Sequence, residues 1–464
     1  MTEPAYSREL ARFAATLNYA DIPPQVIART QELLADTLAS IYAGARSPAV
    51  QLINQQAQQF GPTGGRAENL VQNSHTSPLF AAQVNAAAAH VVEQDDVHNG
   101  SVFHPAAVVF PAALAAAQDV QATGAELLTA VVAGYEVGIR VGEFLGRSHY
   151  QVFHTTATAG GLAAAAAVGR LLKLNPEQML HAFGTAGTQA AGLWEFLRDA
   201  ADSKQIHTSH AASTGLSAAY YAQAGLTGAS RILEGPQGMA AGMSRDAQPE
   251  KLLDGLGTRW TVLETSFKFH ASCRHTHPAA DALQAIMHTH QLQANDIEWV
   301  QAHVHQAALD VLGPVTAPHS VHQSKFSMPT VLGLIALFDC ADLEHFDEHA
   351  LHNPELHAFG QRVSMQLDAE VDQVYPQRWL GKVSVQTRDG RLLQARVDEP
   401  KGDPGNTLSR AELSDKVRRL HQYGERAGHS GVSADALLDF AWRLPQSQRI
   451  SLLHATHTEN HHAN

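Results

Sequence analysis

The chain contains 464 residues, of which 44 % are hydrophobic and 17 % charged, a composition typical of a globular protein with a large buried core. Its formal net charge of −13 disfavours nucleic acid as a partner, because phosphate binding needs a basic surface. The two cysteines are too few for a disulfide framework or for an iron–sulfur cluster held by thiolates alone. The first residues do not resemble a signal peptide, so we expect a cytoplasmic protein that does not contact a membrane.

The first 265 residues predict a helical domain. Apolar residues recur every three or four positions after Pro24, and this proline suits the first turn of a helix. Alanine- and glycine-rich segments between residues 77 and 225 repeat this pattern. Their small side chains favour close packing in the middle of a helical bundle.

The pattern changes after residue 265 and predicts an α+β domain at 266–400. Residues 297–307, 362–368 and 381–397 alternate or are β-branched, as in strands, and Asp389-Gly390 suits a hairpin turn. Two helical patterns, at 278–290 and 327–339, accompany these strands.

The remaining segment, 401–464, predicts C-terminal helices that return to the helical domain. An amphipathic pattern with a charged face runs from Leu408 to Tyr423. The final residues from 452 onward have no periodic apolar face, and we expect a frayed tail.

Polar residues that could carry chemistry concentrate in four segments, each at a junction between a loop and a helix. These segments span residues 93–105, 146–160, 198–210 and 266–283. Such junctions can direct side chains into a cleft and backbone amides toward an anion.

The first of these segments raises the possibility of a metal site. Asp95, Asp96, His98 and His104 offer the carboxylate and imidazole donors that divalent ions accept. Their spacing matches no complete ligand signature, so we do not predict a metal.

The last segment, residues 266–283, has three interpretations. Cys273, His275 and His277 would share one face of a strand and could bind a metal, but Pro278 and the helical pattern after it disfavour a strand. Cys273 could be a nucleophile, since Lys268 and other nearby cations would lower the pKa of its thiol. The segment could also bind an acidic substrate through its cations.

Six segments in a fixed order resemble the MmgE/PrpD family, which includes 2-methylcitrate dehydratase, cis-aconitate decarboxylase and iminodisuccinate epimerase. The resemblance extends from about residue 5 to residue 445 and is carried by "NAAAAHVVEQDD", "GYEVGIRVG", "HTTATAGGLAAAAAVGRLL", "SKQIHTSHAASTGLSAAYYAQAG", "FKFHASCRHTHPAADAL" and "SKFSMP". It implies a mainly α fold, with a large all-helical domain formed from both chain ends and a smaller inserted α+β lid domain. It also implies an active site between the domains, a homodimer, and no metal or organic cofactor.

The resemblance also implies which residues act. The implied catalytic residues are His104, His154, Lys204, Lys268, Asp95 and Asp96. The implied substrate-binding residues are Glu93, His98, His207, Cys273, Arg274 and His277. On this interpretation residues 266–283 form a cationic segment for substrate binding and acid–base chemistry, and Cys273 lines the pocket.

The implied chemistry suits a small anionic substrate with two or three carboxylates. Lysines would neutralise the carboxylates and the charge that develops in an enediolate-like transition state, while histidines would transfer protons. We therefore predict a cofactor-free lyase resembling 2-methylcitrate dehydratase. The alternatives are an epimerase, a decarboxylase of the cis-aconitate type, and a catalytically silent binding protein.

The sequence departs from the common family pattern at three places. The segment "EQDD" is followed by Val97, where the family commonly has "DFDD" and then threonine or serine. Ser209 and His210 stand where the family commonly has a glycine-bearing pattern, and His270-Ala271 follows Phe269 where proline is commoner. These differences bear on the substrate more than on the fold.

Overall fold

The computed structural model describes residues 5–199 and 201–453, so most of the predicted frayed tail lies outside the described residues. The fold is mainly helical, with 59 % helix and 9 % strand, which confirms the predicted class at this level. Among the described residues, no helix combines the length and apolar content needed to cross a bilayer.

Contacts within the chain divide it into two compact units. Unit 1 comprises the described residues of Met1–Trp194, Asp202–Thr265 and Ser409–Asn464, and unit 2 those of Glu195–Ala201 and Ser266–Leu408.

The elements are numbered in chain order through both units. The helices are α1 Tyr6–Thr16, α2 Pro24–Gly44, α3 Pro48–Phe60, α4 Pro78–Val91, α5 Ala106–Asp119, α6 Gly124–Tyr150, α7 Thr155–Thr158, α8 Gly160–Leu171, α9 Pro176–Gly187, α10 Phe196–Asp199, α11 Lys204–Gln223, α12 Met239–Met243, α13 His277–His290, α14 Gln306–Leu312, α15 Val321–Ser324, α16 Met328–Phe338, α17 Glu348–Leu351, α18 Pro354–Gly360, α19 Ala369–Val374, α20 Arg410–Arg426 and α21 Ala434–Arg443. The strands are β1 Ala67–Asn69, β2 Ser74–Thr76, β3 Val97–His98, β4 Thr265–Ser266, β5 Ile297–Val304, β6 Val363–Leu367, β7 Gly381–Thr387 and β8 Leu392–Val397.

The centre of unit 1 is a group of closely packed helices, α4, α5, α8 and α11. Their alanines are almost all buried, because a methyl side chain lets neighbouring helices approach closely. The ends of these helices position the polar segments: α4 ends just before the acidic residues, α5 begins after His104, and α11 begins at Lys204.

Gly215 lies where α11 approaches α8 most closely. A Cβ atom at this position would lie 2.3 Å from the carbonyl oxygen of Gly161 and 2.5 Å from the Cβ of Ala164. Neither neighbour can yield without moving the backbone of α8. The contact therefore requires glycine in the middle of a helix, where alanine would otherwise be favoured.

We expect Gly215→Ala to lower the free energy of unfolding by about 1–3 kcal/mol, because overpacking outweighs the gain in helix propensity. Urea unfolding followed by circular dichroism measures this change. Gly242→Ala in α12 is the matched control, since a Cβ there meets no atom within 4 Å. If the Gly215→Ala protein were as stable as the control, the close packing of α11 against α8 at this position would be contradicted.

Unit 2 contains a four-stranded sheet with the order β6-β5-β7-β8. Strand β5 runs parallel to β6 and antiparallel to β7, and β7 and β8 form a hairpin. Helix α13 packs on β7 and β8. The predicted turn is confirmed, since Gly390 has a φ of 92° that favours glycine.

The segment before α13 is not a strand. Arg274–Thr276 forms a short 3-10 helix that leads directly into α13 at His277. Cys273, His275 and His277 therefore do not share one face of a strand, as a metal site of that kind would need. Pro278 had already indicated that this segment is not a strand.

Candidate active site

Unit 1 brings together side chains from four separate parts of the chain. His90 lies in the last turn of α4, His104 lies just before α5, His154 precedes α7, and His207 lies in the first turns of α11. The ring centroid of His154 is 5.6 Å from that of His90, 6.3 Å from that of His104 and 5.4 Å from that of His207. We call His90, Asp95, His104, His154 and His207 the imidazole cluster.

Asp95 lies between two of these imidazoles. Its Oδ2 atom is 2.7 Å from Nδ1 of His90 and 3.5 Å from Nδ1 of His104. The Nδ1 atom of His104 is also 2.7 Å from the carbonyl oxygen of Asp96, which can only accept. This nitrogen therefore carries a hydrogen, and the lone pair of neutral His104 lies on Nε2. A carboxylate beside the ring stabilises the imidazolium form, which suits His104 to accept and return a proton.

His154 and His207 form a second pair, in which the two Nδ1 atoms are 3.1 Å apart. One Nδ1 must donate to the other, so the two rings cannot both carry a hydrogen there. Burial holds the pKa of His154 well below its usual value, and the neighbouring His207, His90 and Lys204 lower it further. Burial, with His90 and Lys204, also lowers the pKa of His207 to about 4. Both rings are thus neutral at neutral pH.

Lys204 and Glu93 form a buried ion pair across 111 residues of sequence. Glu93 has a φ of 58°, in the left-handed region that residues other than glycine seldom adopt. Glu93 balances the charge of Lys204 within unit 1. The sequence did not predict this pairing. A buried pair of this kind is costly to break by removing one partner.

Asp96 holds the backbone in place at the start of α5. Its carboxylate accepts a bond of 2.9 Å from the amide of Ala106 and one of 2.8 Å from the hydroxyl of Tyr135. Burial nevertheless raises the pKa of Asp96 well above its ordinary value. These contacts support a positioning role, while the predicted catalytic role stays a prediction.

His98 belongs to a different network. Its Nδ1 is 2.9 Å from Oγ of Ser101, and its Nε2 is 3.4 Å from Oε2 of Glu264. The guanidinium of Arg259 bridges Glu264 and Glu143 with bonds of 2.6 Å to each. Burial alone would raise the pKa of Glu264, but the bonds from His98 and Arg259 hold it at about 2.

Two groups of side chains in the described residues have the proximity that a metal ion needs. They are His90, Asp95 and His104, and His98, Glu143 and Glu264; in each group the ligand atoms lie within 4.8 Å of one another. In the first group Nδ1 of His104 donates to a carbonyl and cannot also bind a metal. In the second, Arg259 already neutralises both carboxylates. Both groups take part in hydrogen bonds and ion pairs in this structure.

Unit 2 buries the cationic segment that contains Lys268, which is 0 % exposed. Asp403 pairs with Arg274 and accepts a bond of 2.6 Å from the hydroxyl of Ser266. The amide of Phe267 donates to the carbonyl of Gly402 at 2.9 Å. The loop around Asp403 therefore holds the backbone on both sides of Lys268.

The other predicted residues of unit 2 are also buried. Arg274 donates to Nδ1 of His277 at 3.3 Å, and Nε2 of His277 donates to the carbonyl of Ser272 at 3.3 Å. Burial, then Arg274, lowers the pKa of His277 well below its usual value. The amide of Cys273 donates to the carbonyl of Lys325 at 2.8 Å. His277 is therefore neutral at neutral pH and adds no positive charge to the segment.

Sequence patterns did not indicate His90, Asp403 or the pairing of Lys204 with Glu93. His90 stands five residues before Asp95 in the same segment, so its position at a helix end was the available signal. The partners of Lys204 and Arg274 are more than a hundred residues away in sequence, and no local pattern indicates them.

Two domain models of one protein family match most of the chain. Residues 8–252 match the MmgE/PrpD N-terminal domain, and residues 270–437 match the MmgE/PrpD C-terminal domain. The chain is 27 % identical over 445 residues to a cis-aconitate decarboxylase from Aspergillus terreus, with 90 % of this chain and 89 % of the relative covered.

Two further relatives are more distant. A cis-aconitate decarboxylase-like protein from Aspergillus oryzae is 26 % identical, with 89 % of each chain covered. Human cis-aconitate decarboxylase is 23 % identical, with 87 % of this chain and 85 % of the human protein covered. The two domain models together match most of the sequence, and the chain belongs to the MmgE/PrpD family.

Proposed function

We propose that the protein is a lyase that removes carbon dioxide from a small unsaturated polycarboxylate, and that His104 protonates the carbon left behind. The observation that supports this proposal is the carboxylate of Asp95 beside the ring of His104 in a buried cluster. The curated relatives, which are named cis-aconitate decarboxylases, favour decarboxylation over the dehydration predicted from the sequence.

The proposed step uses side chains alone. The bond between the substrate carbon and its carboxylate breaks, carbon dioxide leaves, and the electron pair stays on carbon, delocalised toward a second carboxylate. His104 in its imidazolium form then delivers the hydrogen on Nε2 to that carbon, while Asp95 stabilises the charge of the ring beforehand. Positive charge near the second carboxylate lowers the barrier, and we propose Lys204 for this role.

Dehydration is the second candidate, because the cluster offers two separate groups that can exchange protons. Loss of water needs a base for one hydrogen and an acid for the departing hydroxide. His104 and the pair of His154 and His207 could divide these tasks. The same two groups could instead act on opposite faces of one carbon, as an epimerase requires.

Lys268 keeps its proposed role as a group that binds a substrate carboxylate, and Arg274 and Cys273 keep theirs as residues that line the site. The support is the burial of a lysine in a segment held by Asp403. We further propose that the protein forms a homodimer, on the family resemblance alone; light scattering of the purified protein tests it.

Proton NMR in D2O distinguishes the three reactions with one panel of cis-aconitate, citrate, 2-methylcitrate, malate and amino- or imino-dicarboxylates. We expect cis-aconitate to lose one carboxyl group as carbon dioxide, with one deuterium entering the product at the protonated carbon. A new vinyl signal from citrate or 2-methylcitrate without carbon dioxide would establish dehydration instead. Deuterium entering a substrate without its net loss would establish an epimerase. Heat-denatured protein is the control for uncatalysed change. If the native protein converts no compound of the panel beyond this control, the proposed reaction class is wrong.

A further inference from the structure

We propose that His90 is a positioning residue that acts on His104 through Asp95 and sets the pH at which His104 releases its proton. This inference deepens the proposed function and rests on the catalytic role of His104. Neither the family resemblance nor the spacing of residues indicated a task for His90.

The direct observation is that one oxygen serves both rings. Oδ2 of Asp95 is 2.7 Å from Nδ1 of His90 and 3.5 Å from Nδ1 of His104. A carboxylate only accepts, so Nδ1 of His90 donates to it. The side chains of His90 and Asp95 are 0 % exposed, and no bulk water weakens the contact.

The geometry assigns different strengths to the two contacts. The bond from His90 is short and holds Oδ2 in place, whereas His104 donates mainly to the carbonyl of Asp96. Asp95 therefore supports His104 chiefly through its charge. The bond donated by His90 takes up part of that charge and so limits how strongly His104 retains its proton.

Other charged and titratable groups surround this pair. They are Asp36 on α2, Glu93 and Asp96 in the same loop, Tyr135 on α6, His154 before α7, Lys204 and His207 on α11, and Lys416 on α20. Substitution of His90 leaves all of them in place, so a change at His104 can be attributed to the bond that was removed.

Two variants at His90 separate the bond from the bulk of the ring. In His90→Asn the amide nitrogen stands near the position of Nδ1 and can still donate to Asp95. In His90→Gln the amide nitrogen stands near the position of Nε2, and the bond is lost. His149→Gln is the matched control, because His149 is equally buried but bonds to Thr158 and to the carbonyl of Met243.

The first measurement is the titration of His104 itself, followed by NMR of the Cε1–H groups in protein labelled with 13C-histidine, with His104→Asn to assign the signal. We expect the titration in His90→Gln to move up by roughly half to one pH unit, since Asp95 then acts more strongly on His104. His90→Asn should restore the wild-type value, and His149→Gln should not change it.

The second measurement tests the path through Asp95. In Asp95→Asn the titration of His104 should move to lower pH, and adding His90→Gln should then have no further effect. An unchanged titration in folded His90→Gln protein, or a shift that persists in the Asp95→Asn background, would overturn the inference.

Activity provides an independent readout. The limb of the kcat/KM profile that reports His104 should move with its NMR titration, whereas a purely structural change would lower kcat/KM without moving the limb. If the titration moves but the wild-type protein turns over no compound of the panel, the coupling stands and the proposed function fails. If turnover is found but the titration does not move, the proposed function stands and the coupling fails.

Discussion

We expect His104→Asn to lower kcat by about 10²–10⁴-fold, which is the usual contribution of a positioned acid or base. Asparagine is the sharpest substitution, because its amide nitrogen can still donate to the carbonyl of Asp96 while the proton on Nε2 is lost. The thermal midpoint should therefore stay near that of the wild type. Initial rates with the substrate identified by NMR, measured beside thermal unfolding, provide the check.

The comparison with Lys204 shows why His104 is the better test. Removing Lys204 leaves the carboxylate of Glu93 buried without its partner, a change that typically costs about 3–5 kcal/mol. A loss of activity in Lys204→Ala would then mix chemistry with unfolding. Full activity of stable His104→Asn protein, by contrast, would remove His104 from the mechanism.

Acidification below about pH 6.5 destabilises the protein steeply. Burial lowers the pKa of seven histidines: that of His149, His207 and His429 to about 4, that of His154, His275 and His277 well below the ordinary value, and that of His303 below it. The unfolded chain therefore binds more protons than the folded chain once the pH falls below about 6.5, the ordinary histidine value. The stability that these groups contribute is complete above that pH and is lost as the pH falls toward 4.

Three buried carboxyl groups act in the opposite sense. Burial raises the pKa of Asp36, Asp96 and Glu136, so the folded chain gains protons at these sites as the pH falls. Each net proton changes the free energy of unfolding by about 1.4 kcal/mol per pH unit. Since the seven histidines outnumber these three carboxyl groups and the partly buried Glu399, whose pKa burial also raises, the free energy of unfolding falls as the pH falls.

Urea unfolding at half-unit steps from pH 7.5 to pH 4.5 measures this slope. His277→Asn should reduce the slope by up to one proton, because it removes one buried histidine. His288→Gln is the control for replacing an exposed histidine, since the side chain of His288 is 61 % exposed. A free energy of unfolding that stays constant between pH 7.5 and pH 5 would contradict the prediction.

Local sequence patterns predicted the elements well because each pattern reports on its own segment. The helix after Pro24 and the hairpin at Asp389-Gly390 depend on side chains close in sequence, and the structure confirms both. The short pair β1 and β2 was not predicted, since strands of three residues are too short to show alternation. Mainly helical content followed from the alanine-rich segments alone.

The candidate site was harder to predict, because its electrostatics depend on contacts between distant residues. Imidazoles in three of the polar segments do meet in unit 1, but His98 turns instead toward Glu264. The family resemblance implied roles for Lys204 and Glu93 at the site, yet only the fold shows that they pair with each other. Conversely, the sequence places His90 in an ordinary helical pattern, and only the fold shows that Asp95 lies beside it.

The pairing of Lys204 with Glu93 has a consequence for ligand selection. Under the proposed function, a substrate carboxylate that binds Lys204 must exchange with Glu93, because Glu93 is already paired with this lysine. The observed binding free energy is then the difference between the ion pair of Lys204 with the substrate and the ion pair of Lys204 with Glu93. We therefore expect a simple ion such as chloride to compete poorly with Glu93, and a carboxylate held by several further contacts to compete better. The pairing with Glu93 should therefore make Lys204 bind anions held by several contacts in preference to simple salts.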